Sequence, residues 1–73
     1  MNDILFDKIG RIIRGKHRNW FIKVKDDTKQ TGGYYVLICK TNSFKDNVYD
    51  DWLENYEDLK QYFLEKKWEI KWE

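Results

Sequence analysis

The sequence has few of the residues from which covalent and catalytic centres are built. Its 73 residues contain one cysteine, one histidine and no proline. The single cysteine, Cys39, excludes an internal disulfide framework and a cysteine-based zinc site. Cys39 follows a run of apolar residues, which is typical of a buried thiol rather than a nucleophile. Any catalytic dyad or metal site would have to include His17 or do without histidine, and His17 stands in a basic segment with no adjacent carboxylate to orient it.

Long apolar runs are also missing. No stretch approaches the roughly 20 residues needed to span a bilayer. Near the N-terminus the apolar residues are interrupted by Asp7, Lys8 and Arg11, so nothing there resembles a signal peptide. We therefore expect a cytoplasmic protein with no membrane association. Alanine is absent while lysine, asparagine, aspartate and isoleucine abound, a bias typical of AT-rich bacterial or phage genomes.

Motifs for catalysis, metal binding and phosphate binding are absent from the sequence. Asp26-Asp27 and Asp50-Asp51 are adjacent pairs, and neighbouring side chains in an extended chain point in opposite directions, so neither pair makes a general acid and base. Neither pair has the spacing of a calcium loop. The stretch 31–33, Thr-Gly-Gly, has too few glycines for a phosphate loop and precedes a strand, so it predicts a turn. We expect no enzymatic activity, no cofactor and no metal.

Length and periodicity predict one small α+β domain spanning residues 1–73. Aromatic residues make up 18% of the chain, which lets a short sequence build a core because each ring buries a large area. Apolar residues near the N-terminus fall on one arc of a helical wheel and predict a first helix ending near Gly15. They are Leu5, Phe6, Ile9, Ile12 and Ile13.

The rest of the chain predicts strands and a second helix. Alternation predicts strands at 20–25 and 68–72, and a β-branched and aromatic run predicts another at 34–39. Residues 48–53 are either a short strand or irregular chain that carries Tyr49 and Trp52 inward. A helix from residue 56 to about 67 follows a cap at Asn55. The predicted architecture is therefore two helices on one face of a mainly antiparallel sheet of three to four strands, in the order α-β-β-(β)-α-β.

The predicted strand at 34–39 is apolar on both faces. Two helices can cover one face of a small sheet, but the second face needs another cover. The sequence offers three: the 41–48 loop through Phe44, a second copy of the chain, or a different protein.

Charge is segregated along the chain although the net charge is only +1. We expect a protein-binding module, and its predicted binding surface is an acidic stretch with one tyrosine: Asp46, Tyr49, Asp50, Asp51, Glu54, Glu57 and Asp58. The alternative is a small nucleic-acid-binding protein, in which Phe21 and Tyr35 stack bases beside basic residues. Its predicted phosphate contacts are Arg14, Lys16, Arg18, Lys23 and Lys25. The acidic second half of the chain would repel phosphate, so protein binding is the primary prediction.

The segments 21–27, 31–35, 49–52 and 68–72 resemble small uncharacterised bacterial domains. Some chains of similar appearance are immunity-type proteins, which neutralise a toxin by binding it. The resemblance covers roughly residues 20–72, and it rests on core and turn residues. It implies an inhibitor role and assigns no binding residue.

Overall fold

The computed structural model describes residues 4–45 and 47–73, which form five strands and one helix. The strands are β1 (Ile9–Arg14), β2 (Phe21–Asp27), β3 (Gly33–Cys39), β4 (Tyr49–Leu53) and β5 (Glu69–Trp72), and the helix is α1 (Tyr56–Glu65). The strands form a single antiparallel sheet in the order β4-β3-β2-β1-β5. Strands β1 to β4 are consecutive neighbours, and α1 carries the chain back so that β5 pairs with β1.

The two faces of the sheet differ because α1 covers only one of them, which we call the helix face. Side chains on that face meet two residues of α1, Leu59 and Phe63, in one buried cluster. The sheet and the segment before β5 contribute Ile12, Ile22, Val24, Val36, Ile38, Trp68 and Ile70. Because successive side chains of a strand alternate between faces, the intervening residues lie on the opposite side, which we call the open face.

The prediction of two helices on a three- to four-stranded sheet is wrong, because the predicted first helix is replaced by strand β1. Ile12 is buried in the cluster, and β1 pairs with both β2 and β5. A shift in the β1–β5 register between Ile12 and Arg14 marks a bulge, which leaves Ile13 42% exposed. The bulge breaks the strict alternation expected of a strand, and so the sequence shows a helical pattern.

The remaining elements lie close to their predicted positions. Residues 49–53 form a strand, but Tyr49 and Trp52 are exposed rather than turned inward. Helix α1 begins after Asn55, whose side chain accepts a hydrogen bond from the Asp58 backbone N–H at 2.8 Å. Within the described residues, no helix has the length and apolar character needed to cross a membrane.

Candidate functional site

Strand β4 forms one edge of the sheet and is open to solvent. It pairs with β3 on one side, and in the described part of the chain no strand pairs with it on the other. Four of its five residues are exposed, and only Leu53 is partly buried. An edge strand presents unpaired backbone N–H and C=O groups, which can pair with an added strand. This edge is therefore a ready binding surface for an extended polypeptide.

The described part of the predicted acidic stretch extends from this edge into the start of α1. Residues 50–58 contain five carboxylates and no lysine or arginine. All five side chains are exposed, and they run from β4 into the first turn of α1: Asp50, Asp51, Glu54, Glu57 and Asp58. The last two also have a structural role, because carboxylates interact favourably with the N-terminus of a helix. Asp46, also predicted for this surface, lies outside the described residues.

Two exposed tyrosines flank the acidic edge. Tyr49 is 58% exposed at the start of β4, and Tyr56 is 41% exposed at the start of α1. Tyr49 contacts Trp20 with 5.9 Å between ring centroids, so the protein holds one of its sides in place. Tyr56 packs edge-on against Tyr34 at 6.2 Å. Partly supported rings of this kind are typical anchors in protein interfaces.

A pocket of about 450 Å³ opens beside Tyr49, between β4, the β1–β2 loop and the end of α1. Its walls include Trp20, Tyr49 and Tyr62, and Asp51 accepts a short hydrogen bond from the Tyr62 hydroxyl. Burial raises the pKa of Tyr62, and the bond to Asp51 acts in the same direction. The Lys66 ammonium lies 5.0 Å from the centre of the Tyr62 ring. The pocket thus combines aromatic surface with charges of both signs.

His17 lines the same pocket and is held close to Trp20, with 4.7 Å between ring centroids. Burial lowers the pKa of His17, and the charges of Lys16 and Lys66 lower it further. Its Nδ1 atom is buried and has no hydrogen-bond partner among the described residues. No serine, threonine or cysteine appears among the described residues that line the pocket. Residues 4–45 and 47–73 also contain no group of three or more histidine, cysteine, aspartate or glutamate side chains placed to hold a metal.

The basic residues of the alternative prediction are divided between the sheet and the β1–β2 loop. Lys23 and Lys25 lie on the open face of β2, since Ile22 and Val24, which alternate with them, are buried on the helix face. Arg14 closes β1 and lies 3.4 Å from Glu69. The remaining two, Lys16 and Arg18, lie in the loop between β1 and β2.

Sequence reasoning missed two basic residues of the open face, Arg11 and Lys71, which are opposite each other in the β1–β5 pairing. The helical pattern around Arg11 hides its place in the sheet. Once residues 9–14 are known to form a strand, the alternation of Gly10, Arg11 and Ile12 places Arg11 on the face opposite the core.

Comparisons with known proteins add no relative to these observations, because no family model, curated protein or solved structure matches the chain.

Proposed function

We propose that the protein is a non-enzymatic binding module that holds an extended, basic segment of another protein along strand β4. The observation that carries the proposal is the coincidence of an unpaired sheet edge with five exposed carboxylates. Backbone groups of the edge supply hydrogen bonds to an added strand, and side chains on alternate sides of that strand supply selectivity. Carboxylates select a segment rich in lysine or arginine.

The charge on this edge sets the rate and selectivity of binding more than its strength. An exposed ion pair contributes only about 0.2–1 kcal/mol. Complementary charges nevertheless raise association rates and disfavour partners of like charge. Affinity then depends on backbone pairing and on Tyr49 and Tyr56, which a partner can cover at the two ends of the acidic edge.

A second copy of the chain is the weaker occupant of this edge. Pairing β4 with β4 of another copy would place two sets of carboxylates, including Asp50 and Asp51, against each other. Like charges facing each other across strands are destabilising. The proposal therefore favours a different, basic protein.

In its narrower form, the proposal makes the protein an immunity-type inhibitor of a basic toxin or nuclease. Carboxylates on the β4 edge would then occupy the surface on which a nuclease holds phosphates. The cytoplasm is the proposed compartment, and fractionation of cells that produce the protein would test it.

Titration with a short peptide in which lysine and threonine alternate tests the proposal. Isothermal calorimetry at low ionic strength should detect binding to the wild-type chain. The variant Asp50→Asn/Glu54→Gln/Glu57→Gln should bind about tenfold more weakly, since each exposed charge contributes a fraction of a kcal/mol. It leaves Asp51 in place, so the bond from Tyr62 is kept.

The matched control removes three carboxylates elsewhere, Asp7→Asn/Glu69→Gln/Glu73→Gln, and should bind nearly as the wild type does. Both variants change the net charge equally, so their difference reports position. No binding to the wild type, or equal loss in the two variants, would contradict the proposal.

A further inference from the structure

The open face of the sheet carries three aromatic rings among basic side chains, and α1 does not cover it. Phe21 precedes the buried Ile22 in β2, and Tyr35 precedes the buried Val36 in β3. Trp52 is directly opposite Tyr35 in the β3–β4 pairing. All three rings therefore lie on the open face. These rings form a second surface, which meets the acidic edge at β4, where Asp50 and Trp52 share the open face.

The Trp52 ring is fixed on the sheet by two contacts. Its Nε1–H donates a hydrogen bond to the Thr31 hydroxyl at 2.9 Å. The ring also rests against the backbone of Gly33, where an added Cβ would lie only 2.5 Å from two ring carbons. Trp52 nevertheless remains 45% exposed. A ring that is held by the protein and still exposed loses little entropy when another planar group stacks on it.

Positive charge lies along the centre of the same face. Lys25 pairs with Tyr35, Lys23 pairs with Leu37, and Arg11 pairs with Phe21. Carboxylates on the open face lie at the turn or on the edge strands: Asp27, Asp50 and Glu69. Arg14 approaches Glu69 at 3.4 Å and offsets its charge.

We propose that the open face binds single-stranded nucleic acid, with bases stacked on Trp52, Tyr35 and Phe21 and phosphates held by Arg11, Lys23 and Lys25. Phe21 pairs with Cys39, four residues from Tyr35, so the rings are separated by about 13 Å along the strands. That distance is the length of about four stacked nucleotides at 3.4 Å each.

Two other occupants fit this face less well. In a symmetric dimer of open faces, the central cations of one copy would lie against those of the other, which is unfavourable. An acidic protein would satisfy the cations, but it would make no use of the fixed, flat Trp52 ring. Stacking on a ring together with contacts to cations is how proteins bind single strands.

Fluorescence anisotropy with a labelled oligothymidine about 12 nucleotides long tests this proposal at low ionic strength. Trp52→Ala should weaken binding about tenfold, the effect expected when one stacked base is deprived of its ring. Tyr49→Ala is the matched control, because Tyr49 is also an exposed ring of β4 but lies on the helix face. It should leave oligonucleotide binding unchanged and weaken binding of the lysine–threonine peptide, which separates this proposal from the proposed function.

A second pair of variants tests the cations. Lys23→Gln/Lys25→Gln should weaken binding and reduce the slope of log affinity against log salt by up to about 1.4, or about 0.7 for each phosphate that a lysine no longer neutralises. Lys29→Gln/Lys45→Gln removes the same charge from the β2–β3 and β3–β4 connections, outside the strands of the sheet, and should have a much smaller effect. Circular dichroism of all variants establishes that each is folded.

Four binding results would overturn the proposal. The first two are failure of the wild type to bind the oligonucleotide and equal weakening of oligonucleotide binding by the two pairs of lysine substitutions. The other two are unchanged binding in a folded Trp52→Ala variant and binding of polyglutamate as tightly as the oligonucleotide. The last result would assign the open face to an acidic protein. A dimer in sedimentation that Trp52→Ala dissociates would assign it to a second copy and would also overturn the proposal.

Discussion

Gly33 is the position at which one added methyl group tests the packing of Trp52 on the sheet. A Cβ at Gly33 would lie 2.5 Å from the Trp52 ring and closer still to the Leu53 carbonyl oxygen. Overpacking of this kind costs about 1–3 kcal/mol, and the lower entropy of the unfolded alanine chain offsets about 0.4–1 kcal/mol of it. We expect Gly33→Ala to lower the free energy of unfolding by about 1–2 kcal/mol and the Tm by about 5–15 °C.

The source of that cost can be measured with a double-mutant cycle in urea. If the Trp52 ring is responsible, Gly33→Ala should cost less in a Trp52→Ala background, with a coupling of about 0.5–1.5 kcal/mol. Relief should be partial, because the Leu53 carbonyl remains in place. A Tm that is unchanged or higher in Gly33→Ala, or a coupling near zero, would refute the account of Trp52.

Gly32 provides the control for this cycle. Its φ of 85° lies in the left-handed region, and an added Cβ would meet nothing within 4 Å. Gly32→Ala should therefore destabilise by about 1 kcal/mol through backbone strain alone. That cost should be the same with or without the Trp52 ring.

Three further changes test the core, the helix cap and the Tyr62 bond. In a urea titration, Leu59→Ala should lower the free energy of unfolding by about 2–5 kcal/mol because Leu59 is fully buried. Leu64 is 52% exposed on the same helix, so Leu64→Ala should lower it by under about 1 kcal/mol. Asn55→Ala should cost about 1 kcal/mol through loss of the N-cap, measured by thermal unfolding. The raised pKa of Tyr62 means that the native state keeps the phenol proton when the unfolded state loses it near pH 10. Stability should therefore fall as the pH rises above about 10, and Tyr62→Phe, which also removes the bond to Asp51, should show a smaller fall between pH 9 and 11 than the wild type. An equal fall in stability in the wild type and in Tyr62→Phe would contradict the raised pKa of Tyr62.

Local signals in the sequence are sufficient to predict β2, β3, β5 and α1. The alternation from Phe21 to Lys25 and the β-branched run ending at Cys39 describe the paired strands correctly, because each strand has a regular apolar pattern. Asn55 marks the start of α1 because its side chain has a direct local role as a cap. The strand patterns and the helix cap are both set by residues close together in the sequence, so they can be recognised without the structure.

The first strand is not predictable from periodicity alone. Ile9 and Ile12 lie on opposite faces of β1, and a bulge follows Ile12. The spacing of Ile9, Ile12 and Ile13 therefore fits a helical arc better than the alternation of a half-buried strand. Contacts with distant residues determine that this segment is a strand. Gly10 leaves room for the Trp72 ring of β5, because a Cβ added at Gly10 would lie 2.8 Å from that ring. A glycine in the middle of an apparent helix is the one available sign, since glycine in a strand often marks close approach of another group.

The acidic part of the candidate site is predictable because it is nearly continuous in sequence. The open face is only partly predictable. Phe21, Tyr35, Lys23 and Lys25 follow from the alternation of β2 and β3, whereas Arg11 depends on the identity of β1. The fixed position of the Trp52 ring depends on its contacts with Thr31 and Gly33, which no local sequence pattern specifies.

Hydrogen–deuterium exchange in the presence of the lysine–threonine peptide shows whether the peptide binds along β4. In the free protein the outward amides of an edge strand exchange readily because they have no backbone partner. If the peptide pairs with β4, saturating peptide should slow exchange within Tyr49–Leu53 and leave exchange at the other edge, Glu69–Trp72, unchanged. Slower exchange at β5 alone, or no change at β4 when the peptide is bound, would contradict binding along β4.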